Sequence, residues 1–100
     1  MKFVAVTACP TGIAHTYMAA TQLEKAAKKL GHTIKVETQG SMGLENELSE
    51  LDIRNADVVI FATEIAVRDK ERFEGKKILE VSIQDAIKKP EEIFARISPV

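Results

Sequence analysis

Tryptophan is absent from this chain of 100 residues, and tyrosine and cysteine occur once each. A single cysteine excludes an internal disulfide and a cysteine-rich metal site. Aromatic residues make up only 5%, which argues against stacking platforms for nucleic-acid bases. Charge of one sign is lacking too: 15 acidic residues meet 14 basic ones, for a net charge of -1. No field of that size favours nucleic acid or an anionic membrane surface. No run approaches the ~20 apolar residues of a membrane span, and no signal peptide precedes the first apolar segment. Glu45, Glu47 and Glu50 have no metal-ligand spacing and are expected to face solvent. These absences predict a single cytoplasmic domain, residues 1–100, with one core, no metal and no cofactor.

What is present is an alternation of apolar runs and helical patterns. Lys2 to Ala8 is a continuous apolar run, as expected for a strand buried on both faces. From His15 to Leu30 the pattern is helical, with Thr16, Ala20, Leu23, Ala27 and Leu30 on the inner face and Gln22, Lys25, Lys28 and Lys29 on the other. Gly31 is placed to stop that helix. Thr33 to Gln39 alternates Ile34 and Val36 with Lys35 and Glu37, as a half-exposed edge strand does. Gly40 and Gly43 then open a loop before a short helix near Leu44 to Leu48. Ser49 with Asp52, and Ser82 with Asp85, have the spacing of helix N-caps. Asp57 to Thr63 is the second fully apolar strand, Lys77 to Val81 the other edge, and Pro90 divides or restarts the last helix. His32 reads as structural, and the Lys28-Lys29 and Lys76-Lys77 pairs as solvated.

Strands alternating with helices predict an α/β three-layer sandwich, with helices on both faces of a four-stranded parallel sheet. Placing the apolar strands in the middle gives the order 2-1-3-4. The crevice beyond the carboxyl ends of the first and third strands is then the topological switch point, where open α/β sheets bind ligands. Cys9 falls there, as do the loops Gln39-Gly40-Ser41 and Thr63-Glu64-Ile65-Ala66.

The cysteine sits between the end of a strand and the start of a helix. Unpaired N–H groups and the helix dipole at such a place hold an oxyanion and stabilise a thiolate. A dipole contribution of roughly 0.3–2 kcal/mol lowers a thiol pKa of about 8.5 by about one unit. Cys9 would supply a nucleophile for a phosphoryl group. Thr11, His15, Thr16 and the N–H groups from Thr11 onward would supply donors, Gly12 close backbone approach, and Pro10 a stiff exit from the strand. Two other readings share the layout. One is a buried structural cysteine in a non-catalytic α/β binding module. The other is a thiol enzyme like the low-molecular-weight tyrosine phosphatases or arsenate reductases. The phosphatase loop is Cys-x5-Arg-Ser/Thr, whereas Cys9 is followed at that spacing by His15 and Thr16. Histidine cannot form arginine's two-pronged phosphate clamp, and the loop lacks an acid to activate water. Transfer to another molecule is therefore favoured over hydrolysis.

The segments Val4-Ala-Val-Thr-Ala-Cys-Pro-Thr-Gly-Ile-Ala-His-Thr16, Val36-Glu-Thr-Gln-Gly-Ser41 and Ala56-Asp-Val-Val-Ile-Phe-Ala-Thr63 resemble the fructose-type IIB component of the bacterial phosphoenolpyruvate-dependent sugar phosphotransferase system (PTS). The similarity continues through Glu71 to Lys76. The resemblance implies that Cys9 takes a phosphoryl group from a phosphohistidine on the IIA component and passes it to fructose or a related sugar bound in the membrane component IIC. It implies that Thr11, Gly12, Ile13, Ala14, His15 and Thr16 cradle the phosphate. Pro10, Gln39, Ser41 and Glu64 would lie at the rim or face a partner. No metal, nucleic acid or direct membrane insertion is implied, and the chain is expected to be a stand-alone subunit or one domain of a longer polypeptide.

Overall fold

The computed structural model describes residues 1–8, 13–40, 43–63, 66–67 and 69–97. Strand β1 (Lys2–Ala8) leads to helix α1 (Ile13–Lys29), then β2 (Thr33–Gly40), the short β3 (Gly43–Glu45), α2 (Glu50–Asn55) and β4 (Val58–Thr63). A 3-10 turn (Lys70–Phe73), β5 (Ile78–Val81), α3 (Ile83–Lys88) and α4 (Pro90–Ile97) complete the order.

The sheet runs β3-β2-β1-β4-β5, with β1 at its centre. β1 pairs in parallel with β2 and β4, and β4 in parallel with β5, while β3 runs antiparallel to β2. The sheet is thus five-stranded and mixed, not the expected four-stranded parallel one. The four parallel strands keep the expected relative order, and the fifth comes from a segment expected to be helical. Leu44 and Glu45 pair with Gln39 and Thr38, and Gly43, which opens this strand opposite Gly40, takes φ 104°. A residue with a Cβ rarely adopts that conformation. As a result β2 is not the edge along its carboxyl half, and Val36 to Gln39 are all buried.

Alternation along β1 feeds two cores. Phe3 and Ala5 point to α1, α3 and α4, where they meet Leu23, Ile83, Ile93 and Phe94. Val4 and Val6 point to α2 and the 3-10 turn, where they meet Leu48, Ile53, Phe61 and Phe73. Helices on both faces explain why β1 and β4 read as unbroken apolar runs. Ala19, Ala20, Ala26 and Ala27 of α1 are at most 6% exposed, and their small side chains let the helix sit close to the sheet.

The helix ends follow local chemistry. Gly31, at φ 79°, ends α1 in a Schellman motif: its N–H donates to Lys28 O (3.2 Å), and His32 N–H donates to Ala27 O (2.8 Å). The turn carries Leu30 off the apolar face, leaving it 44% exposed instead of buried as its spacing implied. Ser49 closes α2 with a reciprocal capping box. Asp52 N–H donates to Ser49 Oγ (3.1 Å) and Ser49 N–H to Asp52 Oδ2 (2.9 Å). Ser82 caps α3 through Asp85 N–H (3.0 Å), and Pro90 opens α4. His32 packs between Phe3 and Phe94, with ring centroids 5.1 and 5.9 Å away, as a structural residue. Lys76 departs from the solvated expectation. Its ammonium donates to Ala56 O (2.6 Å) and Arg54 O (3.3 Å), closing the carboxyl end of α2.

Candidate functional site

Pairing registers bring three strand ends level. Ala8, the last residue of β1, is the partner of Gln39 on one side and Thr63 on the other. The chain leaves β1 at Ala8 and enters α1 at Ile13. The connection Cys9 to Gly12 therefore starts at the middle of the sheet's carboxyl end, where the order of β1 between β2 and β4 creates a switch point. Cys9, Pro10, Thr11 and Gly12 lie outside the described residues, as do Ser41 and Glu64.

The frame on which that connection is mounted is described. Ile13, Ala14 and His15 begin α1, with His15 exposed. Thr16 is 2% exposed, and its carbonyl accepts the Thr7 hydroxyl at 3.2 Å, which ties the first turn of α1 to β1. The first turn of α1 carries no acidic residue. The first turns of α2, α3 and α4 carry Glu50 and Asp52, Asp85, and Glu91 and Glu92, respectively. The amino end of α1 thus keeps its partial positive charge uncompensated by side chains of that turn. One residue further on, the Tyr17 hydroxyl donates to the Glu45 carboxylate of β3. That bond, with the burial and the charge that go with it, holds the Tyr17 phenol above its ordinary pKa.

Gln39 is not a rim residue. It is 3% exposed, and its Nε2 donates to Glu37 Oε2 at 2.7 Å. Glu37, read from alternation as a solvated strand residue, has no exposed surface at all. Its carboxylate accepts both arms of the Arg72 guanidinium (Nη1 to Oε1 and Nη2 to Oε2, each 2.9 Å) and the Leu48 N–H (2.9 Å). Burial disfavours its charged form most strongly. The bonds from Arg72, Gln39 and Leu48 together outweigh that and hold the carboxyl below its ordinary pKa. The same carboxylate raises Arg72 further. Arg72 also donates from Nε to Asp69 O (3.0 Å) and lies 4.9 Å from the Phe73 ring centroid. This network was not legible in the sequence. Glu37 alternates like a surface residue, and Arg72 sits in a charged run that looks solvated.

Among the described residues no group of three or more His, Cys, Asp or Glu side chains is placed to hold a metal ion. A cleft of about 250 Å³, lined by Lys2, Thr33, Asp52 and Asn55 among others, opens at the amino end of the strands, away from the switch point. No helix among the described residues is long and apolar enough to cross a membrane.

An α/β sheet with a loop-to-helix junction at its switch point is the frame of several phosphate-handling proteins, and similarity decides among them. Residues 4–96 match the family model described as PTS system, lactose/cellobiose specific IIB subunit, and the chain belongs to the PTS IIB family. Its relatives are of the fructose-like kind. It is 55% identical over 96 residues to the PTS system fructose-like EIIB component 2 of Escherichia coli K12, covering 96% of this chain and 91% of the relative. It is 52% identical to the fructose-like PTS system EIIBC component of the same organism, covering 97% of this chain but 20% of that longer polypeptide. Among solved structures, a domain of the fructose-specific IIABC component of Borrelia burgdorferi superposes with a TM-score of 0.91 at 52% identity, covering 99% of this chain and 96% of that one. The enzyme IIB subunit of Escherichia coli K12 also gives 0.91, at 44% identity, covering 96% and 89%.

Proposed function

We propose that this protein is the phosphoryl carrier of a fructose-type sugar transporter, with Cys9 as the carrier atom's residue. The observation that carries the reading is positional. The only cysteine follows the end of the central strand and precedes a long helix whose first turn bears no acid. Backbone N–H groups from Thr11 through Thr16, with the Thr11 and Thr16 hydroxyls and His15, are the donors for the three phosphoryl oxygens, and Gly12 allows their close approach. The Cys9 thiolate attacks the phosphorus of a phosphohistidine on a IIA partner. The P–N bond breaks as the P–S bond forms, and the histidine nitrogen keeps the electron pair. A hydroxyl of fructose or a related sugar, bound in a membrane IIC partner, then attacks phosphorus. The P–S bond breaks, sulfur leaves as thiolate, and the hydroxyl proton passes to water. A thiol pKa lowered by the helix end serves both halves, because it raises the thiolate fraction and improves the leaving group. The chain works in the cytoplasm at the inner face of the membrane, with no metal or cofactor. Pro10, Ser41 and Glu64 form the rim that meets the partners.

The test is incubation of the reduced chain with a phosphorylated fructose-type IIA domain, followed by mass spectrometry. A single phosphoryl adduct on Cys9, lost in a folded Cys9→Ser variant, is expected. Undiminished transfer to the serine variant removes Cys9 from the mechanism. Turnover of an aryl phosphate with release of inorganic phosphate would instead mark a thiol phosphatase.

A further inference from the structure

We propose that Glu37 is a positioning residue for phosphoryl transfer, holding the Gln39 side chain, through its clasp with Arg72, at the strand end beside which Cys9 follows. The inference rests on the phosphocysteine reading above. A wholly buried carboxylate is an unusual occupant of a strand whose neighbour offers Val4 and Val6 on the same face. Replacing a buried ion pair by apolar side chains is often neutral or stabilising, so stability alone does not account for the pair. What it supplies is orientation. An ionised carboxylate only accepts hydrogen bonds, so Gln39 must turn its amide nitrogen to Glu37 and its carbonyl oxygen the opposite way. Gln39 is the register partner of Ala8, the residue before Cys9.

The clasp also ties β2 to the 3-10 turn that follows β4. Arg72 donates to the carbonyl of Asp69, which ends the connection leaving β4 in a left-handed conformation (φ 55°). A single two-pronged bond therefore links β2 to the chain beyond β4, and β1, the strand that delivers Cys9, lies between β2 and β4 in the sheet. Arg72 and Glu37 touch no reacting atom. Their effect is to hold β2, and with it the Gln39 side chain, beside Ala8, the residue before Cys9.

Two variants test this, Glu37→Gln and the milder Gln39→Ala, which leaves the ion pair intact. Each is assayed for single-turnover transfer from a phosphorylated fructose-type IIA domain, corrected for the folded fraction. Loss of supporting hydrogen bonds is expected to slow transfer about 10–100-fold, with the apparent KM for the donor within about twofold. In Glu37→Gln the side-chain amide resonance of Gln39 should also shift, because its partner has become a donor as well as an acceptor. Folded variants that transfer at the wild-type rate, or that change only KM, overturn the proposal and leave the Cys9 reading standing. A wild-type chain that accepts no phosphoryl group overturns both.

Discussion

The first turns of α1 and α2 are built from the same backbone groups and differ in the charge they carry. At α2 side chains close both ends of the helix. Ser49 and Asp52 exchange hydrogen bonds, Lys35 Nζ lies 2.8 Å from Asp52 Oδ2, and Lys76 closes the far end. At α1 no acid enters the first turn, the turn is tied to β1 through Thr16, and the connection from Ala8 brings in the only cysteine. A helix end closed by side chains contributes to stability; one left open keeps its donors available for an anion. On the proposed function, the contrast separates a structural end from a chemical one within the same domain.

Breaking the closed side is expected to have the largest effect on stability. Arg72→Met leaves Glu37 charged and buried without its partner, which should cost about 3–5 kcal/mol in denaturant unfolding. A loss below about 1 kcal/mol would mean that water or another cation reaches Glu37. The open side is tested by His15→Asp, which puts an acid into the first turn of α1. Stability should hold or rise by about 0.3–1 kcal/mol through the dipole. A like charge in the turn proposed to cradle the phosphoryl group should slow transfer by about 2 kcal/mol, roughly thirtyfold, with His15→Asn as the uncharged control. Equal rates for the two variants would show that the turn does not face the transferred group.

Smaller effects sharpen the comparison. Ser49→Ala removes the α2 cap and should cost about 1 kcal/mol by thermal or denaturant unfolding, without altering transfer. Asp52 responds to pH. Lys35 first, and then Ser49, hold its carboxyl at about 2, below the ordinary 3.8. Its contribution is therefore fully present above the ordinary value and is lost as pH falls through about 2. The stability gap between wild type and Asp52→Asn should close across that window, and a gap unchanged at the acid end would separate Asp52 from the α2 cap.

Legibility in the sequence tracked the range of the interactions involved. The apolar runs of β1 and β4, the Ser49 and Ser82 caps, and the Gly31 stop depend on residues within a few positions of one another, and all three appear where the pattern puts them. Leu44 and Glu45 were misread because three residues carry too little periodicity to oppose a helical reading, and only the neighbouring β2 gives them a ladder to join. Leu30 was misread because apolar spacing takes no account of the chain's turn at Gly31. Glu37 was misread because alternation assumes that one face of a strand meets water, and on β2 that face is covered by the Leu48 segment and Arg72.

The amino-acid sequence by itself determined where the four parallel strands and the long helix form, that β1 and β4 lie inside, and which junction bears the single thiol. Those outcomes follow from side-chain hydrophobicity and from capping bonds that close within one turn. Only the tertiary structure decided that Arg72 reaches Glu37 across 35 positions, that Gln39 is buried beside Ala8, and that β3 covers the edge of β2. Such pairings need two distant segments to be brought together and dried, so no local pattern in the chain announces them.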